Sequence, residues 1–271
     1  MSKGPGLFSD FGKKARDLLN QDYTSDQKFT LSSSTFTELG LVSNLMDKGG
    51  LSSGDVAAQF KQNNVVFEIL TTFTITDLLP STKTMASFKL PDYNSGKLEV
   101  QYFHEHGALT TAVGLKKSPA IDFSATVGSP SIAFGAETSY VTSSGEFTKY
   151  NAGVNITKPD SSASVILGDK GDSLRVSYVQ YQLNHMNGGA VGGEIARKLS
   201  TNENTLTVGC SYPVNPHTLV KAKLNNHGNL GALVQREFRS KSFLTISGAF
   251  EIDTRALDKT PKFGLGLSLK P

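Results

Sequence analysis

Two periodicities divide the chain. Over residues 7–19 apolar side chains fall at 7, 8, 11, 15, 18 and 19, the spacing of one helical face, and Asp10, Lys13, Lys14, Arg16 and Asp17 take the other side. Pro5 suits a first helical turn or the position before it. The pattern predicts one amphipathic helix of about three turns, too short to persist alone and so in need of a surface to lie against. From about Gln27 the period changes to two. Leu98, Val100 and Tyr102 alternate with Lys97, Glu99 and Gln101; Ile121, Phe123, Ala125 and Val127 with Asp122, Ser124 and Thr126; Val220, Ala222 and Leu224 with Leu219, Lys221 and Lys223. Phe29 and Leu31, Ile132 to Ala136, Leu206 to Cys210 and Phe263 to Leu269 repeat the pattern. Each run predicts a strand with one apolar face and one polar or small face.

Turn signals separate the runs, among them Lys48-Gly49-Gly50, Gly128-Ser129-Pro130, Ser143-Ser144-Gly145, Asp169-Lys170-Gly171-Asp172, Asn202-Glu203-Asn204 and Asn226-His227-Gly228. They recur every 10 to 14 residues or so, which over about 245 residues gives roughly 18 to 19 strands. No composition shift marks a boundary. The expected organisation is therefore one domain over 1–271, with a helical segment at 1–22 and an all-β, antiparallel part at 27–271.

Composition narrows the class. Hydrophobic residues are 38% of the 271, enough to make disorder an unsuitable reading. Cys210 is the only cysteine, which excludes a disulfide framework. A mean hydropathy of −0.21 and the lack of a long apolar run exclude a bundle of membrane helices. The opening Met1-Ser2-Lys3-Gly4-Pro5 has no apolar signal region, so a secretory route is not expected. A net charge of +3, from 27 basic and 24 acidic residues, is too small to indicate nucleic acid.

Two architectures fit: a soluble β-rich fold, and a membrane barrel with apolar residues toward lipid and polar ones toward a water-filled lumen. The polar side carries Lys28, Lys61, Lys89, Lys97, Lys149, Arg175, Lys221 and Lys223, and the apolar side continues through nearly every run. Both features favour the barrel. Tryptophan is absent, leaving 8 tyrosines and 16 phenylalanines to form any interfacial girdle.

The order of parts resembles the mitochondrial porins, the voltage-dependent anion channels. Residues 212–226, YPVNPHTLVKAKLNN, are similar to that family's C-terminal signature, continuing through Gly231 and Ala232, with Asn215 where an Asp is common. Lys262, Gly264, Leu267 and Leu269 resemble the sorting signal of mitochondrial outer-membrane barrels. The openings Lys3-Gly4-Pro5-Gly6-Leu7-Phe8 and 200–209, STNENTLTVG, are similar to the plant branch. The family's barrel has nineteen strands, so that count is carried by the resemblance as much as by the spacing. One departure concerns nucleotide contact: where some members have Gly-Leu-Lys, this chain has Ser81-Thr82-Lys83.

The resemblance implies a voltage-gated, weakly anion-selective channel for small metabolites and ions in the mitochondrial outer membrane. The helix, with Lys13 and Arg16, would lie in or near the lumen. Implied partners are membrane lipids, small anions and nucleotides as permeants, the outer-membrane barrel assembly machinery, and a second copy as a homo-oligomer. No cofactor and no enzymatic group are expected. The rival readings are the related protein-import pore, whose members usually carry a longer N-terminal extension, and a soluble β-rich binding protein.

Other residues offer candidate chemistry. His104-Glu105-His106 puts two imidazoles on one strand face, but before Gly107 an ordinary solvated turn is the better reading. Gly188-Gly189-Ala190-Val191-Gly192-Gly193 has no helix after it and is not a phosphate loop; its glycines let a strand bend or let something approach closely. Glu68 shares parity with Val66 and Leu70 and would face lipid, where a carboxylate is costly. It marks either a nearby turn or a lipid-facing carboxylate that tunes dynamics or oligomerisation.

Overall fold

A computed structural model describes residues 4–23, 27–34, 39–48, 51–62, 65–68, 72–76, 81–87, 96–116, 118–181, 188–239, 242–251 and 262–269. Side chains are described for 4–23, 81–86, 96–116, 118–181, 188–238, 242–248 and 264–268. The N-terminal segment holds α1 (Lys13–Asn20). Nineteen strands follow among the described residues. They begin with β1 (Gln27–Ser34), β2 (Leu39–Lys48), β3 (Leu51–Gln62), β4 (Val65–Glu68), β5 (Thr72–Thr76) and β6 (Thr82–Ser87). Next come β7 (Lys97–His104), β8 (Gly107–Gly114), β9 (Ala120–Gly128), β10 (Ile132–Val141), β11 (Glu146–Thr157), β12 (Ser161–Gly168) and β13 (Ser173–Tyr181). The last are β14 (Ala190–Lys198), β15 (Glu203–Asn215), β16 (Thr218–Asn225), β17 (Asn229–Arg239), β18 (Ser242–Glu251) and β19 (Lys262–Leu269).

All nineteen belong to one sheet. Neighbours in sequence pair antiparallel, as β1 does with β2 and β18 with β19. The exception is β1 with β19, which run parallel with Gln27 opposite Leu265, Phe29 opposite Leu267 and Leu31 opposite Leu269. No described helix is long and apolar enough to cross a membrane.

The N-terminal segment departs from the single three-turn helix that its periodicity predicts. A short 3-10 turn spans Phe8–Asp10, Phe11 is extended, and α1 begins after it. The cause is Gly12, whose φ of +66° is a left-handed conformation open to glycine and disruptive to a continuous helix. In the first piece Phe8 and Phe11 are buried, and in α1 Ala15, Leu18 and Leu19 are. The turn expected at 202–204 is also displaced, since β15 already starts at Glu203 and Asn202 takes the left-handed position (φ +55°).

The chain divides into two compact units, residues 1–13, 58–176 and 197–203, and residues 14–57, 177–196 and 204–271. In the second, a row of Tyr212, Val220, Val234, Ile246 and Leu265 runs in register across five strands. Four of these are conspicuously exposed, Ile246 at 52%. One residue along each strand, Lys221, Leu233, Ser247 and Gly264 make the opposite row, and all are buried. The first unit behaves alike, with Phe134 and Val127 exposed at 58% and 64% while Thr126 and Ala133 between them are covered. Large apolar side chains on the open face, with polar or small ones on most of the covered face (Leu233 is the exception), invert the arrangement of a water-soluble sheet.

Candidate functional site

The covered face is where the N-terminal segment lies. In the first unit, the Thr126 hydroxyl donates to the Gly6 carbonyl at 2.6 Å. A Cβ on Gly4 would collide with the His104 carbonyl oxygen, so only glycine allows the chain to pass there. Phe8 and Phe11, their rings 5.1 Å apart, pack on Ala133 with Ile166 alongside. Gly135 makes room for the Phe8 ring, to which an added Cβ would stand 2.7 Å away. These contacts come from alternate positions of β10, the small side of its alternation.

In the second unit, Ala15 and Leu18 pack with Val179 and Ala190, and Tyr181 flanks them. Leu18 reaches over Gly192 and Leu19 over Gly209, where added Cβ atoms would lie 3.1 and 2.7 Å from the leucine methyls. The close approach expected of the 188–193 glycines is thus that of a helix side chain. The Lys14 ammonium stands 5.6 Å from the Tyr181 ring centroid.

The C-terminal end of α1 meets two lysines of β16. Lys221 Nζ donates to the Gln21 carbonyl and pairs with Asp22, both at 3.5 Å, and is only 8% exposed. Lys223 Nζ donates to Asn20 Oδ1 at 3.4 Å and lies 4.3 Å from the Tyr23 ring centroid. A helix end carries partial negative charge on its unpaired carbonyls, so two cations there favour docking by roughly 0.3–1 kcal/mol each. The Tyr23 hydroxyl is buried without a partner, and burial pushes its pKa up to about 12.

Below pH 10 the phenol is neutral whether the segment is docked or free, so docking is unaffected. Between 10 and about 12 only the free form ionises, and docking weakens as pH rises. Ultraviolet titration should therefore show one phenol ionising near pH 12 that the Tyr23→Phe variant lacks; identical curves would contradict this placement.

Comparison with known proteins decides the family. The eukaryotic porin model matches residues 4–264. The chain belongs to the eukaryotic porin family. This porin is 56% identical to mitochondrial outer membrane protein porin 2 of Arabidopsis thaliana, with both chains covered completely. It is 53% identical to porin 5 of Oryza sativa subsp. japonica, over 99% of each chain, and 44% identical to porin 3 of Arabidopsis thaliana, over all of both. The porin is a transmembrane β-barrel of the mitochondrial outer membrane and forms a channel there. Porins are a channel family and not an enzyme family, and their surroundings are lipid and small solutes.

The remaining predicted lysines of this porin fall into local ion pairs or outside the description. Lys97 pairs with Glu99 at 2.9 Å, and Gln101 donates to the same carboxylate at 2.6 Å. Lys149 pairs with Glu137 at 2.6 Å, which Asn151 also donates to. Lys13 is an exposed partner of Asp10 at 3.7 Å, and Arg16 follows it in α1. Arg175 lies in β13. Lys28, Lys61 and Glu68 lie in β1, β3 and β4, with side chains outside the described residues, and Lys89 is wholly outside them. In β19, Gly264 is buried against Ser247 and Leu267 pairs with Leu244, whereas the side chains of Lys262 and Leu269 are not among those described. The residues that sequence reasoning passed over are Asn20, Asp22 and Tyr23. They fall past the helical pattern, and nothing in a single sequence joins them to β16, some 200 positions away.

Proposed function

We propose that this porin is a voltage-gated, weakly anion-selective diffusion channel for small metabolites and ions, acting as one domain. The observation that carries the reading is Lys223, opposite the exposed apolar row and at the end of a docked, marginal helix, beside Lys221, whose charge Asp22 offsets. Translocation needs no catalytic group; fixed positive charge inside a low-dielectric wall raises the local concentration of anions, including nucleotide phosphates. Selectivity is weak because Lys97 and Lys149 are compensated by Glu99 and Glu137. Water in the lumen also screens the rest over about 8–10 Å. Gating follows from the N-terminal segment, which is held by small-residue contacts and by charged contacts that a field can bias. Lys262, Gly264, Leu267 and Leu269 serve as the sorting signal read by the barrel assembly machinery, and self-association takes place through the lipid-facing surface.

Reversal potentials in a planar bilayer under a KCl gradient test the selectivity. Lys223→Glu should move the channel toward cations without abolishing conductance, by more at low salt than at high salt. Because Lys221 also holds Asp22, Lys221→Glu should in addition alter open–closed switching. An unshifted reversal potential in the double variant would remove these lysines from the selectivity mechanism. The rival reading, a pore for protein import, rests on no observation in this chain.

A further inference from the structure

We propose that the lipid-facing side of β9–β12 holds one acyl chain of an anionic phospholipid, with Lys170 engaging its phosphate. The site is a groove of about 650 Å³, within the range of small-molecule sites, and its lining is almost wholly apolar. Its floor is built by register: Ala125, Ala136, Ala152 and Leu167 lie side by side across four strands. Three alanines in succession leave a channel where neighbouring rows carry large side chains. The next row toward the 142–145 turn is Phe123, Thr138 and Tyr150, so two aromatic rings wall the channel.

Two observations identify the occupant. Tyr140, Phe147 and Tyr150 form a chain of ring contacts, with centroids 5.1 and 5.9 Å apart, at this end of the strands. A cluster of this kind marks the membrane–water boundary of a barrel, so the groove opens just inside the hydrocarbon. Lys170 and Gly171 close the same end, in the turn between β12 and β13. Lys170 there takes a left-handed φ of +60°, a conformation that a lysine adopts only with strain. Asp169 and Asp172 share that turn; Asp172 is held by Ser200 through its backbone N–H at 2.6 Å and its hydroxyl at 2.7 Å. No described side chain forms an ion pair with Lys170. An apolar slot ending in a cation that forms no ion pair among the described residues, at headgroup depth, fits a hydrocarbon chain joined to a phosphodiester. It does not fit a second protein copy, which would need a far larger apolar contact.

The chain has no tryptophan, so Phe123→Trp supplies a single reporter in the groove wall. Reconstituted in phosphatidylcholine vesicles, this variant should be quenched more by added brominated phosphatidylglycerol than by brominated phosphatidylcholine. The apparent preference should be about fivefold at low salt, the worth of one basic residue at the membrane surface. Adding Lys170→Gln should reduce the preference to about one, while Lys158→Gln, in the turn at the opposite end of β12, should leave it unchanged. Ala136→Leu, which fills the floor, should lower quenching by both lipids, with bilayer conductance confirming that the barrel has formed. Equal quenching by the two lipids would overturn the proposal. So would a preference that survives Lys170→Gln, displacement of the lipid by millimolar inorganic phosphate, or an Ala136→Leu variant that changes oligomeric state and not quenching.

Discussion

Replacing Leu18 and Leu19 together by alanine is expected to free α1 from its sheet while leaving the strands intact. Both side chains are buried, at 7% and 2% exposure, and they fill the spaces above Gly192 and Gly209. Removing a buried leucine side chain costs about 2–5 kcal/mol. Two such losses, at the low end about 4 kcal/mol, shift a docking equilibrium roughly a thousandfold. An eight-residue helix cannot hold its shape without that surface. Hydrogen exchange should show residues 13–20 losing protection while the amides of β15 and β16 keep theirs. In single-channel recordings the open–closed switching should change. Unchanged protection of α1 would mean that the segment is held by its polar contacts, chiefly Lys221 with Asp22. Changed protection with unchanged switching would separate docking from gating.

A lysine at Val220 is expected to impair insertion and stability, while leucine there is tolerated. Val220 sits in the middle of an apolar row, between Tyr212 and Val234, with Ile246 beyond. A cation at mid-membrane on a barrel's lipid face costs about 2–4 kcal/mol. Folding into lipid vesicles followed by urea titration should show a lower midpoint for Val220→Lys and a near-normal one for Val220→Leu. A normal lysine variant would mean that the two faces of β16 are assigned the wrong way round. The burial of Lys221 under α1 argues against that reversal.

How far the sequence leads depends on the range of the interaction that fixes each feature. Strand faces are set by nearest neighbours along the chain, so the parity of Val220, Lys221 and Ala222 is enough to put Lys221 on the face opposite Val220, the one α1 covers. The alternation of Ile132 to Ala136 located β10 for the same reason. Helix continuity is not legible, because the apolar spacing runs straight through Gly12 and the left-handed backbone there shows only in three dimensions. The β15 start was missed for a related reason: Asn202 alone takes the turn conformation, whereas the polar run extends beyond it. The partners of Lys221 and Lys223 were beyond reach, since their pairing with residues 20–23 depends on where the docked segment ends. Lys97 and Glu99 share one strand face two positions apart, so their pairing is local and legible, whereas Lys149 meets Glu137 only through the register of β10 on β11.

The parallel pairing of β1 with β19 sets the order in which the molecule can be completed. Gln27 and Leu265 are opposite one another across 238 positions of chain, whereas neighbouring strands such as β16 and β17 lie close in sequence. Contacts of such long sequence separation come last in folding, because a large loop must be closed before they reward it. Until β19 is available, β1 presents a bare row of backbone donors and acceptors on one side, a template for any other extended chain. A nascent or truncated form is therefore vulnerable at this seam above all. The eight-residue β19 pairs with β1, so one strand covers both edges that the growing sheet leaves open.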